Sequence, residues 1–346
     1  MKDTTNLVLF AGKYPKSVQR ELNQTVSELG YKILPASIGR FRSNEHYCEL
    51  YPKQQAEFER NKAEITGSHV HIVMNAAADM DKTFVEAINL IETAKEYGAQ
   101  SVHFILAFAP YARQDRKFDG RMTSMMGKTF PKHLKCAGAD RITTFDVHSQ
   151  AAENFYADSF GTENVRFISA VDEIQRKVAA IAGTERCVYG APDGGDKPQD
   201  SAQTKARQIA TLAFGPDMSP EKDMFFITKR HKDVNTTEVT GFKGNVADCT
   251  AIELDDMTDT GGTLINGATV LKKNGAKKVI AAVTHGIFSG DSLQKLTAET
   301  SAIDLLMASD SILGIHTKRS RLPAAQRDRV VIVPTAPLIK QALLTL

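Results

Sequence analysis

Cysteine is scarce in this chain: Cys48, Cys136, Cys187 and Cys249 stand far apart, with no Cys-x-x-Cys pair. That spacing argues against a zinc knuckle and for reduced, mostly buried thiols in a cytosolic protein. Long apolar runs are missing too. No stretch of 18 residues is apolar throughout, and the opening Met1-Lys-Asp-Thr-Thr-Asn carries no signal-peptide core. The expectation is a cytoplasmic protein with no membrane partner. An excess of one charge is also lacking, since 43 Lys and Arg face 41 Asp and Glu for a formal net charge of +2. Such a balance gives no global reason to expect nucleic acid as a partner. Basic residues do cluster locally, at Arg113–Lys117 and Lys229–Lys232. A short basic cluster is by default a solvated surface; here a compact polyanion is the other reading.

The remaining composition, 42% hydrophobic and 24% charged over 346 residues, is that of a soluble globular protein with room for two domains. Short apolar runs alternate with longer amphipathic segments. Strands are predicted at 7–10, 70–74, 102–106, 142–145, 187–189, 225–227, 250–254, 279–283, 303–307 and 330–333. Helices are predicted at 16–29, ending at Gly30, at 82–97, ending at Gly98, and at 264–273, ending at Asn274-Gly275. This alternation means βαβ units, mostly parallel sheets and an α/β fold, with sites at the strands' C-terminal ends. So many strands suit two domains, divided as 1–161 and 162–346. The rhythm is alike in both halves, but no convincing repeat is present. Segments 190–201 and 228–245 are polar and glycine-rich and read as long loops of the kind that carry function.

Residues 252–263, Ile-Glu-Leu-Asp-Asp-Met-Thr-Asp-Thr-Gly-Gly-Thr, are the most informative part. An apolar strand meets Asp255 and Asp256, then Asp259, a Thr260-Gly261-Gly262-Thr263 turn and a helix. A strand that passes through a glycine loop into a helix presents backbone N–H groups to an anion. The threonine hydroxyls add donors, and the glycines allow close approach. Asp255 and Asp256 are acceptors suited to vicinal sugar hydroxyls. The combination suggests a pocket for a ribose bearing a 5-phosphate. An ordinary acidic βα turn is the bland alternative, but three aspartates beside an anion loop need a cation or sugar to engage them.

Four further motifs follow predicted strands. Pro110-Tyr-Ala-Arg-Gln-Asp-Arg-Lys-Phe118 has two arginines and a lysine within five residues, suited to bidentate phosphate contacts. Asp146-Val-His148 makes His148 a candidate for a metal or phosphate contact, although a histidine there is more often structural. Ala191-Pro-Asp193-Gly-Gly is a turn that makes Asp193 a possible magnesium or sugar contact. Thr228-Lys-Arg-His-Lys232 opens the second long loop, and its cations are placed to close over a phosphoryl group in flight.

Together these segments resemble the ribose-phosphate pyrophosphokinases, or phosphoribosyl-diphosphate synthetases, over nearly the whole chain. Asp255–Thr263 matches their ribose-5-phosphate signature, which type I phosphoribosyltransferases share. Tyr111-Ala-Arg-Gln-Asp-Arg-Lys117 is similar to the synthetases' ATP-binding segment and not to the transferases. Leu9-Phe-Ala-Gly12, Thr284-His-Gly-Ile-Phe-Ser-Gly290 and Val333-Pro-Thr-Ala-Pro-Leu338 also fit.

The resemblance implies two phosphoribosyltransferase-like domains with the active site between them. The N-terminal domain would carry the ATP-binding segment and the C-terminal domain the ribose-5-phosphate loop. It implies a nucleotide-biosynthesis reaction: the β,γ-diphosphoryl group of MgATP passes to the anomeric hydroxyl of ribose 5-phosphate, with AMP leaving. It places ATP on Arg113, Gln114, Asp115 and Lys117, with Phe41 and Glu45 reaching a neighbour's adenine. It places Mg2+ by His148 and Asp193, and the sugar phosphate on Asp255, Asp256, Asp259, Thr260, Gly261, Gly262 and Thr263. Lys229, Arg230 and His231 stand for the catalytic flexible loop, in a homo-oligomer, dimer or hexamer.

Departures cluster around these positions. The family's Lys-Arg-Arg reads Lys229-Arg230-His231, and a histidine gives no permanent bidentate clamp. Phe41-Arg-Ser-Asn-Glu45 replaces Phe-Ser-Asp-Gly-Glu. The turn after Asp193 is longer and lacks the family's arginine, and the segment after His148 differs. Glu253 sits in an otherwise apolar strand that a parallel sheet would bury. Two other readings therefore stand beside the synthetase: the same transfer to a larger acceptor such as ADP-ribose, or a catalytically weak regulatory relative.

Overall fold

The computed structural model describes residues 5–12, 14–52, 55–76, 79–117, 120, 122–192, 201–231 and 237–344. Asp193 and Phe118 lie outside them. The chain divides into two compact units, Met1–Ile168 with Ser311–Leu313 and Thr335–Leu346, and Ser169–Asp310 with Gly314–Pro334.

In the first unit, β1 (Asn6–Ala11) leads through α1 (Lys16–Glu28) to β2 (Lys32–Ile33) and a separate antiparallel hairpin, β3 (Ala36–Arg40) and β4 (His46–Leu50). Then follow α2 (Phe58–Ile65), β5 (His69–Met74), α3 (Met80–Glu96), β6 (Ser101–Leu106), α4 (Met126–Cys136), β7 (Arg141–Phe145), α5 (Gln150–Phe160) and β8 (Val165–Ile168). The six-stranded sheet runs β2-β1-β5-β6-β7-β8, every pair parallel. Val70, Ile72, Val102 and Phe104 have no exposed surface, as expected of a parallel sheet covered by helices.

The opposite face of this sheet is partly polar. His71 and His103 bring their Nδ1 atoms to 3.3 Å, while their Nε2 atoms meet Asn6 Oδ1 at 3.2 Å and Thr143 Oγ1 at 2.8 Å. Burial holds His71 down to about 4 and His103 down to about 3, so both rings are neutral near pH 7.

The second unit contains α6 (Val171–Ala182), β9 (Cys187–Ala191), α7 (Ser201–Phe214), α8 (Pro220–Asp223), β10 (Met224–His231), β11 (Thr237–Lys243) and β12 (Thr250–Thr258). It continues with α9 (Gly262–Lys273), β13 (Lys278–Gly286), α10 (Ser292–Leu296), β14 (Leu305–Ser309), α11 (Gly314–Ser320), α12 (Ala324–Arg327) and β15 (Val330–Val333). Its seven-stranded sheet runs β11-β10-β9-β12-β13-β14-β15. All pairs are parallel except β10 with β11. The chain leaves β9 to one side for β10 and later returns to the other side as β12. That reversal is a topological switch point, and it places the ends of β9 and β12 beside a crevice of the sheet's carboxyl edge.

The three glycine-ended helices form as expected. Gly30, Gly98 and Gly275 have φ of 70°, 91° and 88°. The amides just beyond them reach back into the last turn, as in Tyr31 N–H to Val26 O at 3.0 Å and Ala276 N–H to Leu271 O at 3.1 Å.

Other expectations are corrected. The 228–245 segment is largely a β-ribbon, since β10 extends to His231 and pairs with β11, register Arg230 to Glu238. The strand expected at 250–254 runs on to Thr258, and that at 303–307 lies at Leu305–Ser309. The division at 161/162 shifts to after Ile168, because β8 pairs with β7 as the edge of the first sheet. The closing helix α13 (Ala336–Leu344) also belongs to the first unit. There Lys340 Nζ meets Glu28 Oε2 at 2.6 Å and the Tyr31 hydroxyl donates to Leu343 O at 3.4 Å. Of the cysteines, Cys187 and Cys249 are buried, Cys48 is half-buried and Cys136 is exposed. No described helix is long and apolar enough to cross a membrane.

Candidate active site

In the second unit, the carboxyl end of β12 carries the paired aspartates. Strand alternation sends Asp255 to the face covered by α9 and Asp256 to the other. Asp255 is half-buried and its Oδ1 accepts the Asp256 N–H at 2.8 Å; Asp256 is 4% exposed. The loop beyond is braced by the segment that follows β13. Ile287 N–H donates to Thr258 O at 2.9 Å and Ser289 N–H to Asp259 O at 3.2 Å. This gives Thr284–Gly290 a scaffold role.

The two glycines of the loop have different reasons to be glycine. Gly261 caps α9 with φ 82°, and a Cβ there would meet the Leu296 side chain at 2.8 Å. Its missing side chain is dictated by backbone and packing. A Cβ on Gly262 would meet nothing within 4 Å. Open space therefore lies over the first turn of α9, where helix geometry leaves the leading N–H groups without intrahelical acceptors. The first helical bond there is Ile265 N–H to Gly261 O at 3.0 Å. Thr260 and Gly262 are exposed, and Asp259 and Thr263 are half-buried. Leading amides next to open space, with threonines and strand-end carboxylates close by in the chain, can hold an anion and a polyol together.

In the first unit, the segment after β6 is anchored at three points. Tyr111, with φ 60°, gives its hydroxyl to Asp81 Oδ1 at 2.5 Å and packs against Phe84 and Phe130. Burial and then the Asp81 carboxylate push its phenol well above the ordinary value, so it remains a donor. Gln114 Oε1 accepts from Met126 N–H at 3.2 Å and Ser124 Oγ at 3.0 Å, tying the segment to the start of α4. A Cβ on Gly127 would lie 2.9 Å from Gln114 O, so the backbones touch there. Asp115 Oδ2 accepts from Ser149 Oγ at 2.6 Å, and the same Ser149 caps α5 through Ala152 N–H at 3.2 Å. That bond ties the arginine segment to the Asp146–His148 turn, in which Asp146 has φ 39° and His148 is half-buried. Arg113, Arg116 and Lys117 are exposed.

The family described as the N-terminal domain of ribose phosphate pyrophosphokinase matches residues 7–138, and the phosphoribosyl synthetase-associated domain matches residues 166–322. The ribose-phosphate pyrophosphokinase of Pasteurella multocida is 30% identical over 310 residues, covering 89% of this chain and 87% of that protein. The chain belongs to the ribose-phosphate pyrophosphokinase family. The Thermosipho africanus pyrophosphokinase is 28% identical over 336 residues, 97% of this chain and 92% of that one. The crystal structure of phosphoribosylpyrophosphate synthetase from Mycobacterium smegmatis superposes with a TM-score of 0.76 at 25% identity, covering 98% of both chains.

Several expected site residues of this pyrophosphokinase-family chain sit where chemistry is accessible, and others do not. Phe41 is 59% exposed at the β3–β4 turn, its ring 4.8 Å from that of Tyr47, and Glu45 Oε2 accepts Ser43 Oγ at 2.5 Å. Lys229, Arg230 and His231 lie in β10, beyond a register shift between Thr228 and Lys229. Asp193 falls outside the described residues, immediately after Pro192 at the end of β9. The oxygens of Gln114 and Asp115 are already engaged with the scaffold. Sequence reasoning missed Asp81, Ser124 and Ser149; only Ser149 had a signal, as a serine directly before a helix.

Among the described residues no three His, Cys, Asp or Glu side chains converge on a metal-holding group. Magnesium is commonly held by one or two carboxylates plus substrate phosphates and water. Half-buried Asp255 offers hard oxygen donors of the right kind; the imidazole of His148 is a poorer magnesium donor.

Proposed function

We propose that this protein is a ribose-phosphate pyrophosphokinase, making 5-phosphoribosyl 1-diphosphate and AMP from ribose 5-phosphate and MgATP. One observation carries the reading: open space above the first turn of α9, at the end of a strand bearing Asp255 and Asp256, in a chain that also carries the anchored arginine segment. The anomeric oxygen of ribose 5-phosphate attacks the β-phosphorus of ATP. The new O–P bond forms, the bond from the β-phosphorus to the bridging oxygen of AMP breaks, and the hydroxyl proton is lost. Such a transfer needs alignment and charge neutralisation rather than covalent help from the protein.

The first-turn amides of α9 with Thr260 and Thr263 take the 5-phosphate, and Asp255 and Asp256 take the ribose hydroxyls. Arg113 and Lys117 take ATP phosphates, with Gln114 and Asp115 holding their segment. Phe41 and Glu45 serve a neighbouring subunit's adenine in a homo-oligomer. Lys229, Arg230 and His231 neutralise the diphosphoryl group in transit. Asp193, Asp255 and His148 are the residues that would hold magnesium or its phosphates, and the ion would supply charge neutralisation for the ATP phosphates. The relatives' names favour ribose 5-phosphate over a larger acceptor. The test is AMP release from MgATP with ribose 5-phosphate or with ADP-ribose. Release with ribose 5-phosphate is expected; release with ADP-ribose alone, or with neither, contradicts the proposal.

A further inference from the structure

Glu253 has no exposed surface, although it carries a carboxyl in the middle of β12. Its strand neighbours are small: Gly190 on β9 and Ala281 on β13. Above it lies Gly267, inside α9. A Cβ on Gly267 would overlap Glu253 Oε1 and fall 3.1 Å from the Cβ of Pro192. The carboxyl therefore occupies the place where any larger residue at 267 would put its side chain.

Gly267 has no turn to make, since it lies within the helix Gly262–Lys273. Glycine inside a helix is less favourable than alanine, and the carboxyl beneath it accounts for its presence here.

The position gives that side chain a role. Glu253 shares a face of β12 with Asp255, one strand repeat further along. Pro192, which borders the same place under Gly267, directly precedes Asp193 in the sequence. We propose that Glu253 is a positioning residue of the ribose 5-phosphate site. With its carboxyl filling the place under Gly267, which Pro192 also borders, the Glu253 side chain sets the spacing of α9 from the end of β9. The strand-end aspartates and the first-turn amides then meet one sugar phosphate in register. This rests on the reading of Asp255–Thr263 as the ribose 5-phosphate pocket.

The test compares Glu253→Gln, Glu253→Ala, Gly267→Ala and the double variant Glu253→Ala with Gly267→Ala, in steady-state kinetics and thermal unfolding of the whole protein. Glu253→Ala is expected to raise the KM for ribose 5-phosphate about tenfold while the KM for ATP moves less than about twofold. Glu253→Gln, of the same shape, stays within about threefold of wild type. Gly267→Ala lowers both Tm and ribose 5-phosphate affinity, and adding Glu253→Ala restores part of each. Equal increases in the two KM values, unchanged KM values for Glu253→Ala, or a double variant no better than Gly267→Ala would each overturn the proposal. If wild type turns over ribose 5-phosphate in that experiment, the loss falls on this proposal alone. If wild type neither binds nor turns over ribose 5-phosphate, both it and the reading beneath it fall.

Discussion

Side chains of the segment after β6 divide by where their polar atoms go. Tyr111, Gln114 and Asp115 turn back to Asp81, to the start of α4 and to Ser149, while Arg113, Arg116 and Lys117 are exposed. Two kinds of variant should therefore behave differently. Gln114→Ala removes a cap-like acceptor and should cost about 1 kcal/mol of stability, read as a lower denaturant midpoint. Lys117→Ala should leave the midpoint unchanged and raise the KM for ATP; a fall in the midpoint with no change in KM would reverse the assignment. At the ribbon, Lys229→Ala should lower kcat about 100-fold or more and leave equilibrium MgATP binding nearly intact. A near wild-type rate would refute the role given to β10. Burial of histidine adds a pH dependence. His71 and His103 are held down to about 4 and about 3 by burial, with His69 and Arg141 adding to the effect on His71, and His71 and Arg141 to that on His103. Between those values and the ordinary value of about 6.5, the unfolded chain binds protons that the folded chain does not. Stability is therefore full above about pH 6.5 and falls as pH drops toward 4, by up to about 1.4 kcal/mol per pH unit for each histidine. The double substitution His71→Asn with His103→Gln should flatten the dependence of Tm on pH in that window. An unchanged slope would rule the pair out as its source.

At the scale of elements, the loop into α9 separates fold from function within two residues. Gly261→Ala should destabilise the protein, because it combines φ 82° with overlap of Leu296. Gly262→Ala meets no atom within 4 Å and should keep its Tm while weakening ribose 5-phosphate binding; equal effects of the two substitutions would remove the open space as the phosphate's place. The strand, glycine turn and helix at 250–273 were legible because apolar periodicity and turn chemistry agree there. So were the glycine-ended helices at Gly30, Gly98 and Gly275. The β10–β11 ribbon was not. Thr237-Glu-Val-Thr-Gly-Phe-Lys243 mixes strand formers with glycine and charge, and the strand lies at the sheet's edge, where one side needs no pairing partner. The anchors Asp81 and Ser124 were equally hidden, since a contact between residues far apart in sequence leaves no local pattern.

For the whole molecule, the alternation of strands and helices was enough to give two α/β units, and the motifs were enough to give their family. The boundary was not, because β8 and α13 are assigned by pairing and packing with distant segments, not by their own composition. Light scattering should find a homo-oligomer, dimer or hexamer; a monomer at micromolar concentration would remove the neighbour's adenine as the partner of Phe41. The reaction proposed for this protein is transfer of an intact diphosphoryl group. It is tested most directly with ATP labelled at the β-phosphorus, magnesium and ribose 5-phosphate. The label should appear in a diphosphate on the sugar's C1 in one-to-one proportion with AMP. Label recovered in ADP or in free diphosphate, with no labelled sugar, would contradict it.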